Sequence, residues 1–172
     1  RGEDHPPGLT PRSFALKTQD RLFVGSKVTG HYTLDAVRPD DDVILVATGT
    51  GEAPHNTMLA HLLSREHRGR LVCVTCVRFK RDQGYLDTHR ELERRYPLYR
   101  YLTLSTREPE NLDPQAPGYI GKQYLQDYVE SGNLERDACV SMAADHTHVL
   151  LCGNPAMIGA PSLLIPFDSW MC

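Results

Sequence analysis

The spacing of apolar residues changes character near Val43. From there on, "VILVA" (Val43–Ala47) is a short continuous apolar run, and three further apolar-rich segments read as strands: "RLVCVTCVRF" (Arg70–Phe79), "LYRYLTLS" (Leu98–Ser105) and "THVLLC" (Thr147–Cys152). Continuous rather than alternating runs are expected of strands covered on both faces, as in a parallel sheet. Between them lie segments with helical spacing. "PHNTMLAHLLSREH" places Met58, Leu59, Leu62 and Leu63 on one stripe, and "THRELERRY" is a charged helix stopped before Pro97. "GKQYLQDYVESGNL" aligns Tyr124, Leu125, Tyr128 and Val129, with Gly132 as its expected C-cap. "THVLLCGNPAMIG" repeats the plan of strand, glycine turn and helix start. Strands alternating with helices predict an α/β fold with a doubly wound parallel sheet.

The residues before Val43 follow another rhythm. "DRLFVGSKVTGHYTLD" (Asp20–Asp35) holds the short apolar pieces "RLFV" and "HYTL", separated by Gly25 and Gly30. This predicts antiparallel strands and turns left over from a β-domain. "RPDDD" (Arg38–Asp42) is a polar break, so the expected division is 1–40 as a β remnant and 41–172 as the α/β domain.

Bulk properties narrow the function classes. The chain has 172 residues, 40% hydrophobic and 24% charged, with a formal net charge of −3. Both signs are interspersed, so neither nucleic-acid nor membrane-surface binding is expected. No apolar stretch approaches the roughly 20 residues of a membrane span. The polar, proline-rich start "RGEDHPPGLTPRS" is unlike a signal peptide, and it lacks methionine, as expected of a cut edge. Among five cysteines, Cys73 and Cys76 form a CxxC inside a β-branched run. Three positions apart in a strand point to opposite faces, so these thiols do not converge and no metal site is expected. A reduced, cytoplasmic compartment is the simplest account.

The chemistry concentrates at the strand ends. After "VILVA" comes "TGTGEAP" (Thr48–Pro54), where Gly49 and Gly51 permit unusual φ and close approach of a ligand. The helix that follows aims unpaired N–H groups at that point, which suits a pyrophosphate, and Pro54 fits its first turn. Glycine needed for geometry alone explains a lone G-x-G equally well. The neighbouring strand ends add to it. "VRFKR" offers Arg78, Lys80 and Arg81 where an NAD-binding unit carries an acid, and "LSTREP" adds Ser105, Thr106 and Arg107. Arginines with hydroxyl donors suit a 2′-phosphate, pointing to NADP(H). Glu52 is expected to face solvent, because an inward carboxylate would oppose a pyrophosphate.

"VATGTGEAP", "GYLDTHREL", "LSTREP", "GKQYLQDYVESG" and "LLCGNPAMIGAP", in this order, closely resemble the NADP-binding domain of the ferredoxin–NADP(+) reductase family. "GLTPRSFALKTQDRLFVGSKVTGHYTLD" resembles the end of that family's FAD-binding β-barrel. The likeness covers about Gly8 to Pro161, and G-x-G-x-x-P is the form of glycine turn this family uses. It implies that Thr48, Gly49, Thr50 and Gly51, with Pro54 in the turn, meet the pyrophosphate and nicotinamide side. Thr106, Arg107 and Lys122, with Arg78 on the basic rim, would hold the 2′-phosphate. Tyr124 would stack on the adenine and Gln126 would reach the adenine or ribose. Cys152 would lie beside hydride transfer, in a pocket shaped by Gly153, Asn154 and Pro155. The implied reaction passes electrons between ferredoxin or flavodoxin and NADP(H) through FAD, in a monomeric whole protein. The family's flavin-binding R-x-Y-[ST] segment does not occur in these residues, and "SLLIPFDSWMC" departs from its C-terminal pattern. The expectation is therefore a chain that binds NADP(H) but needs the FAD domain for turnover. The alternatives are an NAD(P)H-dependent flavin reductase, an oxygenase-reductase domain, or a non-catalytic nucleotide-binding fragment.

Overall fold

A computed structural model describes residues 9–27 and 29–158. The described residues fall into two units, the first ending at Thr33 and the second beginning at Leu34. In the first, Leu9–Phe14 form a short helix (α1), with Ser13 Oγ donating back to the Leu9 carbonyl at 3.0 Å. The antiparallel strands expected over Asp20–Asp35 are absent: no strand occurs among the described residues before Asp42. The β remnant is thus corrected to a largely irregular segment. Leu22, Phe23 and Val24 are 63%, 93% and 77% exposed. Two short strands without a sheet to join bury neither face, so pairing alone does not hold them.

The second unit is the doubly wound sheet that the apolar runs predict. Strands β1 (Asp42–Thr48), β2 (Leu71–Val77), β3 (Tyr99–Ser105) and β4 (Thr147–Cys152) are all parallel, in the order β3-β2-β1-β4. The helices are α2 (Glu52–Ser64), α3 (Leu86–Arg95), α4 (Pro109–Leu112), α5 (Leu125–Glu130) and α6 (Asn133–Ala138). As expected, Gly132 closes the helix that carries Leu125, Tyr128 and Val129 (α5); it adopts φ +73° and also caps a further short helix, α6, that the spacing does not predict. A left-handed glycine stops a helix here because only a residue without Cβ takes that conformation cheaply.

Side-chain alternation divides the core into two layers. Val43, Leu45, Cys73, Tyr99 and Tyr101 pack with Met58, Leu59 and Leu62 of α2. Ile44, Val46, Val72, Val74 and Cys76 pack with Leu125, Leu134 and Ala138 of α5 and α6. Cys73 and Cys76 therefore lie on opposite faces of β2, both as free, buried thiols whose pKa burial raises, Cys73 to about 12. Burying so many apolar side chains at about 1.5–3 kcal/mol each dominates the fold's stability. Strand β4 forms one edge, with Val149 and Leu151 exposed. Among the described residues no helix is long and apolar enough to cross a membrane.

The N-terminal end of this sheet is closed by charges. Asp41 is 3% exposed, and its carboxylate accepts from the backbone N–H and Nε of Arg38 (both 2.9 Å) and from His148 Nε2 (2.8 Å). Arg38 also donates to the Asp145 carbonyl at 2.6 Å, and Arg68 forks onto Asp40 with two bonds of 2.6 Å. Gly69 lies against this loop so closely that a Cβ there would stand 2.0 Å from the Asp41 carbonyl oxygen.

Candidate functional site

The strand order reverses at β1: β2 and β3 extend to one side, and β4 returns to the other. In open α/β sheets the crevice beyond the C-terminal strand ends at such a reversal is where ligands bind. Here it lies between the turn after β1 and the turn after β4.

These two turns are built into one another. Gly49 has φ +54° with open space where a Cβ would be, so its role is conformational. Gly51 is buried; a Cβ there would lie 2.0 Å from the Cys152 carbonyl oxygen and 3.0 Å from the Gly153 nitrogen. Gly153, at φ +142°, would place a Cβ 2.0 Å from Thr48 Oγ1. That hydroxyl oxygen accepts the backbone N–H of Asn154 at 2.7 Å. Thr48, Gly51, Cys152, Gly153 and Asn154 thus meet, and only glycine at two of these positions lets the main chains touch. Thr50 and Gly49 are exposed on the crevice turn, while Pro54 sits in the first turn of α2, where its missing N–H costs nothing. Cys152 ends β4, half-buried, and Pro155 opens the short turn Pro155–Ile158.

The basic rim is sorted by its neighbours. At the ends of β2 and β3, the Arg107 backbone N–H donates to the Arg78 carbonyl at 2.9 Å, and that of Thr106 to the Val77 carbonyl at 3.2 Å. The side chains of Arg78 and Arg107 are exposed and make no hydrogen bond or ion pair among the described residues. Lys80 is instead committed to Glu110, and the Arg81 guanidinium lies 4.6 Å from the Phe79 ring centre. Lys122 and Tyr124 are exposed together, the ammonium 6.0 Å from the ring centre. Gln126 donates to the Ala156 carbonyl at 3.0 Å, which ties α5 to the turn after β4.

Three functional features were hidden from sequence reading. The first is Asn111, 2% exposed. Its Oδ1 accepts from the Glu108 N–H (3.1 Å) and Ser105 Oγ (3.3 Å), and its Nδ2 donates to the Gly121 carbonyl (3.0 Å). It clamps the strand end that carries Arg107 to the segment that carries Lys122 and Tyr124. The second is His55, buried in α2, where burial lowers its pKa to about 4.

The third corrects the expectation for Glu52. It does not face solvent: it is 5% exposed, and Oε1 accepts from Tyr101 OH (2.6 Å), His89 Nε2 (3.1 Å) and Thr75 Oγ1 (3.2 Å). Tyr99 OH lies 2.7 Å from His89 Nδ1, and His89 stacks on Tyr101 with ring centres 3.9 Å apart. Burial pushes the Glu52 carboxyl up, but the hydrogen bonds from His89, Tyr101 and Thr75 outweigh it and hold it below its ordinary value. The available signal was the alternation of Tyr99 and Tyr101, which puts two hydroxyls on one face of β3.

The donor set fits a dinucleotide phosphate: a glycine turn at a helix start, free guanidinium groups at the adjoining strand ends, and an exposed tyrosine beside a lysine. Among the described residues, no group of three or more His, Cys, Asp or Glu side chains is placed to hold a metal ion.

Known proteins share this sequence pattern and this fold. The model of the oxidoreductase NAD-binding domain family matches residues 45–162. The flavodoxin/ferredoxin–NADP reductase of Escherichia coli is 34% identical over 151 residues, which is 87% of this chain and 58% of that protein. The ferredoxin–NADP reductase of Pseudomonas aeruginosa is 27% identical over 166 residues, 91% of this chain and 61% of that one. The chain thus spans about three-fifths of the length of these relatives. Among solved structures, a ferredoxin NADP+ reductase from Neisseria gonorrhoeae with bound FAD and NADP superposes with a TM-score of 0.62. It is 19% identical, over 76% of this chain and 50% of that chain. A Plasmodium falciparum ferredoxin-NADP+ reductase mutant with 2′P-AMP gives 0.56 at 19% identity, over 75% and 49%. The chain belongs to the oxidoreductase NAD-binding domain family.

Proposed function

We propose that this chain is the NADP(H)-binding part of a ferredoxin- or flavodoxin–NADP(+) reductase. The observation that carries the reading is the pair of guanidinium groups of Arg78 and Arg107, without a partner among the described residues, at adjacent strand ends beside the glycine turn. When bound, NADP(H) supplies a hydride donor or acceptor at its nicotinamide ring. The backbone of Thr48–Gly51 and the start of α2 hold the pyrophosphate. Arg107, Thr106, Lys122 and Arg78 hold the 2′-phosphate, and Tyr124 covers the adenine. Gln126, engaged with the Ala156 carbonyl, braces this wall rather than reaching the nucleotide by itself. Cys152, Gly153, Asn154 and Pro155 line the nicotinamide side, orienting the ring and excluding water from it.

FAD belongs to the whole protein in this reading. The R-x-Y-[ST] segment that would hold it is absent from this chain, so no flavin step is assigned to these residues. For the whole protein we propose ferredoxin or flavodoxin as the electron partner, a monomeric state and a cytoplasmic location, the last from its free cysteines. The reading is tested by calorimetric titration with 2′,5′-ADP and 5′-AMP. Tighter binding of 2′,5′-ADP by tenfold or more, on the order of 1.4 kcal/mol, is expected. Equal affinity for the two would remove the 2′-phosphate assignment.

A further inference from the structure

Glu52 is the first residue of α2, directly after the turn that holds the pyrophosphate in the reading proposed above, on which this inference rests. A 13-residue helix presents a partial positive charge at its N-terminus, and that charge is what a bound phosphate uses. Glu52 puts a carboxylate in the same place, on the sheet side of the turn.

Everything that meets this carboxylate is a neutral hydrogen-bond donor or an imidazole. Tyr101 and Thr75 donate hydroxyls to Oε1, and no lysine or arginine pairs with Glu52 among the described residues. His89 fits as the Nε2–H tautomer, donating to Glu52 while Nδ1 accepts the Tyr99 hydroxyl; that assignment satisfies every group in the relay. Buried charges interact through a poorer dielectric than exposed ones and are less screened by salt. We propose that Glu52 is an affinity-limiting residue: its buried negative charge opposes the pyrophosphate across the glycine turn and keeps the nucleotide loosely held. Release of a spent nucleotide is faster when the turn that grips it also carries this opposing charge.

The test compares two ligands on the whole chain. NADP+ carries the pyrophosphate; adenosine 2′-phosphate offers the 2′-phosphate and adenine but nothing to the turn. Glu52→Gln keeps an acceptor at Oε1 and removes the charge. It is expected to tighten NADP+ binding by about fivefold to tenfold, while adenosine 2′-phosphate stays within about twofold of the parent. A merely structural role would weaken NADP+ or move both ligands alike, and either result overturns the proposal. The double variant Glu52→Gln, Tyr101→Phe guards against a misplaced amide, since it removes one of the three donors to Oε1 together with the charge and leaves no buried hydroxyl without a partner. It should show the same selective tightening; unchanged NADP+ affinity in a folded double variant also overturns the proposal. If the parent binds adenosine 2′-phosphate and NADP+ equally, the turn does not engage a pyrophosphate, and this inference falls while the 2′-phosphate site stands. If the parent binds neither ligand, both readings fall.

Discussion

The two ends of the sheet are made from similar residues put to opposite uses. At the N-terminal end Arg38, Arg68 and His148 are all committed to Asp41 or Asp40, and the main chain of Gly69 fills the remaining space. At the C-terminal end Arg78 and Arg107 have no side-chain partner among the described residues, and the glycines of both turns let two main chains touch. A charge already paired within the protein has little to offer a ligand, whereas a charge without a partner at a strand end is available to one. The difference between a latch and a binding site lies in pairing rather than in residue type.

The sharpest way to separate these ends is to add one methyl group at each. Gly51→Ala and Gly153→Ala at the open end should each cost about 2–4 kcal/mol, because the new Cβ meets main chain or Thr48 at 2.0 Å. Both should also lose nucleotide binding. Gly69→Ala at the closed end meets the Asp41 carbonyl at the same distance. It should cost a similar amount in a urea titration, yet bind 2′,5′-ADP as the parent does when folded. Nucleotide loss in Gly69→Ala equal to that of Gly51→Ala would erase the contrast.

A smaller effect is expected from Asn111→Ala. It leaves the Glu108 N–H and the Gly121 carbonyl without their partner, at about 1–3 kcal/mol. Because Asn111 joins the two segments of the basic rim, stability and 2′,5′-ADP affinity should fall together. A loss confined to stability would show that the rim is positioned by other contacts.

Acid acts on the paired groups and spares the open rim. His55 has a folded pKa lowered to about 4 by burial, against about 6.5 unfolded, so the unfolded state binds more protons between these values. The stability it contributes is complete above about pH 6.5 and is lost as pH falls towards 4. Asp41 is held well below the usual carboxylate range, first by the side-chain hydrogen bond from Arg38, so its contribution persists lower and fades below about pH 4. Melting temperatures across pH 3–8 should therefore decline in two stages. His55→Gln should flatten the upper stage alone, and Asp41→Asn the lower one; a single stage unaffected by either variant would refute the assignment.

The parallel sheet was legible because its central strands β1 and β2 are apolar nearly throughout, while the edge strands β3 and β4 carry mixed but still apolar-rich segments. The glycine turns were legible as well, since Gly49 and Gly51 fill positions where a Cβ is either strained or excluded. Pairing was not legible. Arg78, Lys80 and Arg81 look alike in sequence, but Lys80 is held by Glu110 across a separation of 30 residues. Glu52 reads as a solvent-facing helix start, and only the sheet beneath it reveals Thr75, Tyr101 and His89 as its partners. The N-terminal pieces failed for the reverse reason: "RLFV" has strand composition but no neighbouring strand among the described residues. Local pattern specifies an element's type, while partners decide whether it forms and what its charges do.

In the function proposed above, the guanidinium groups of Arg78 and Arg107 at the open end recognise a 2′-phosphate. Titrating the parent chain and Arg107→Ala with 2′,5′-ADP and 5′-AMP by calorimetry tests it most directly. Arg107→Ala is expected to weaken 2′,5′-ADP by about 1.5–3 kcal/mol, as for loss of a charged hydrogen bond, and to leave 5′-AMP unchanged. An equal loss for both ligands, or none for either, would contradict it.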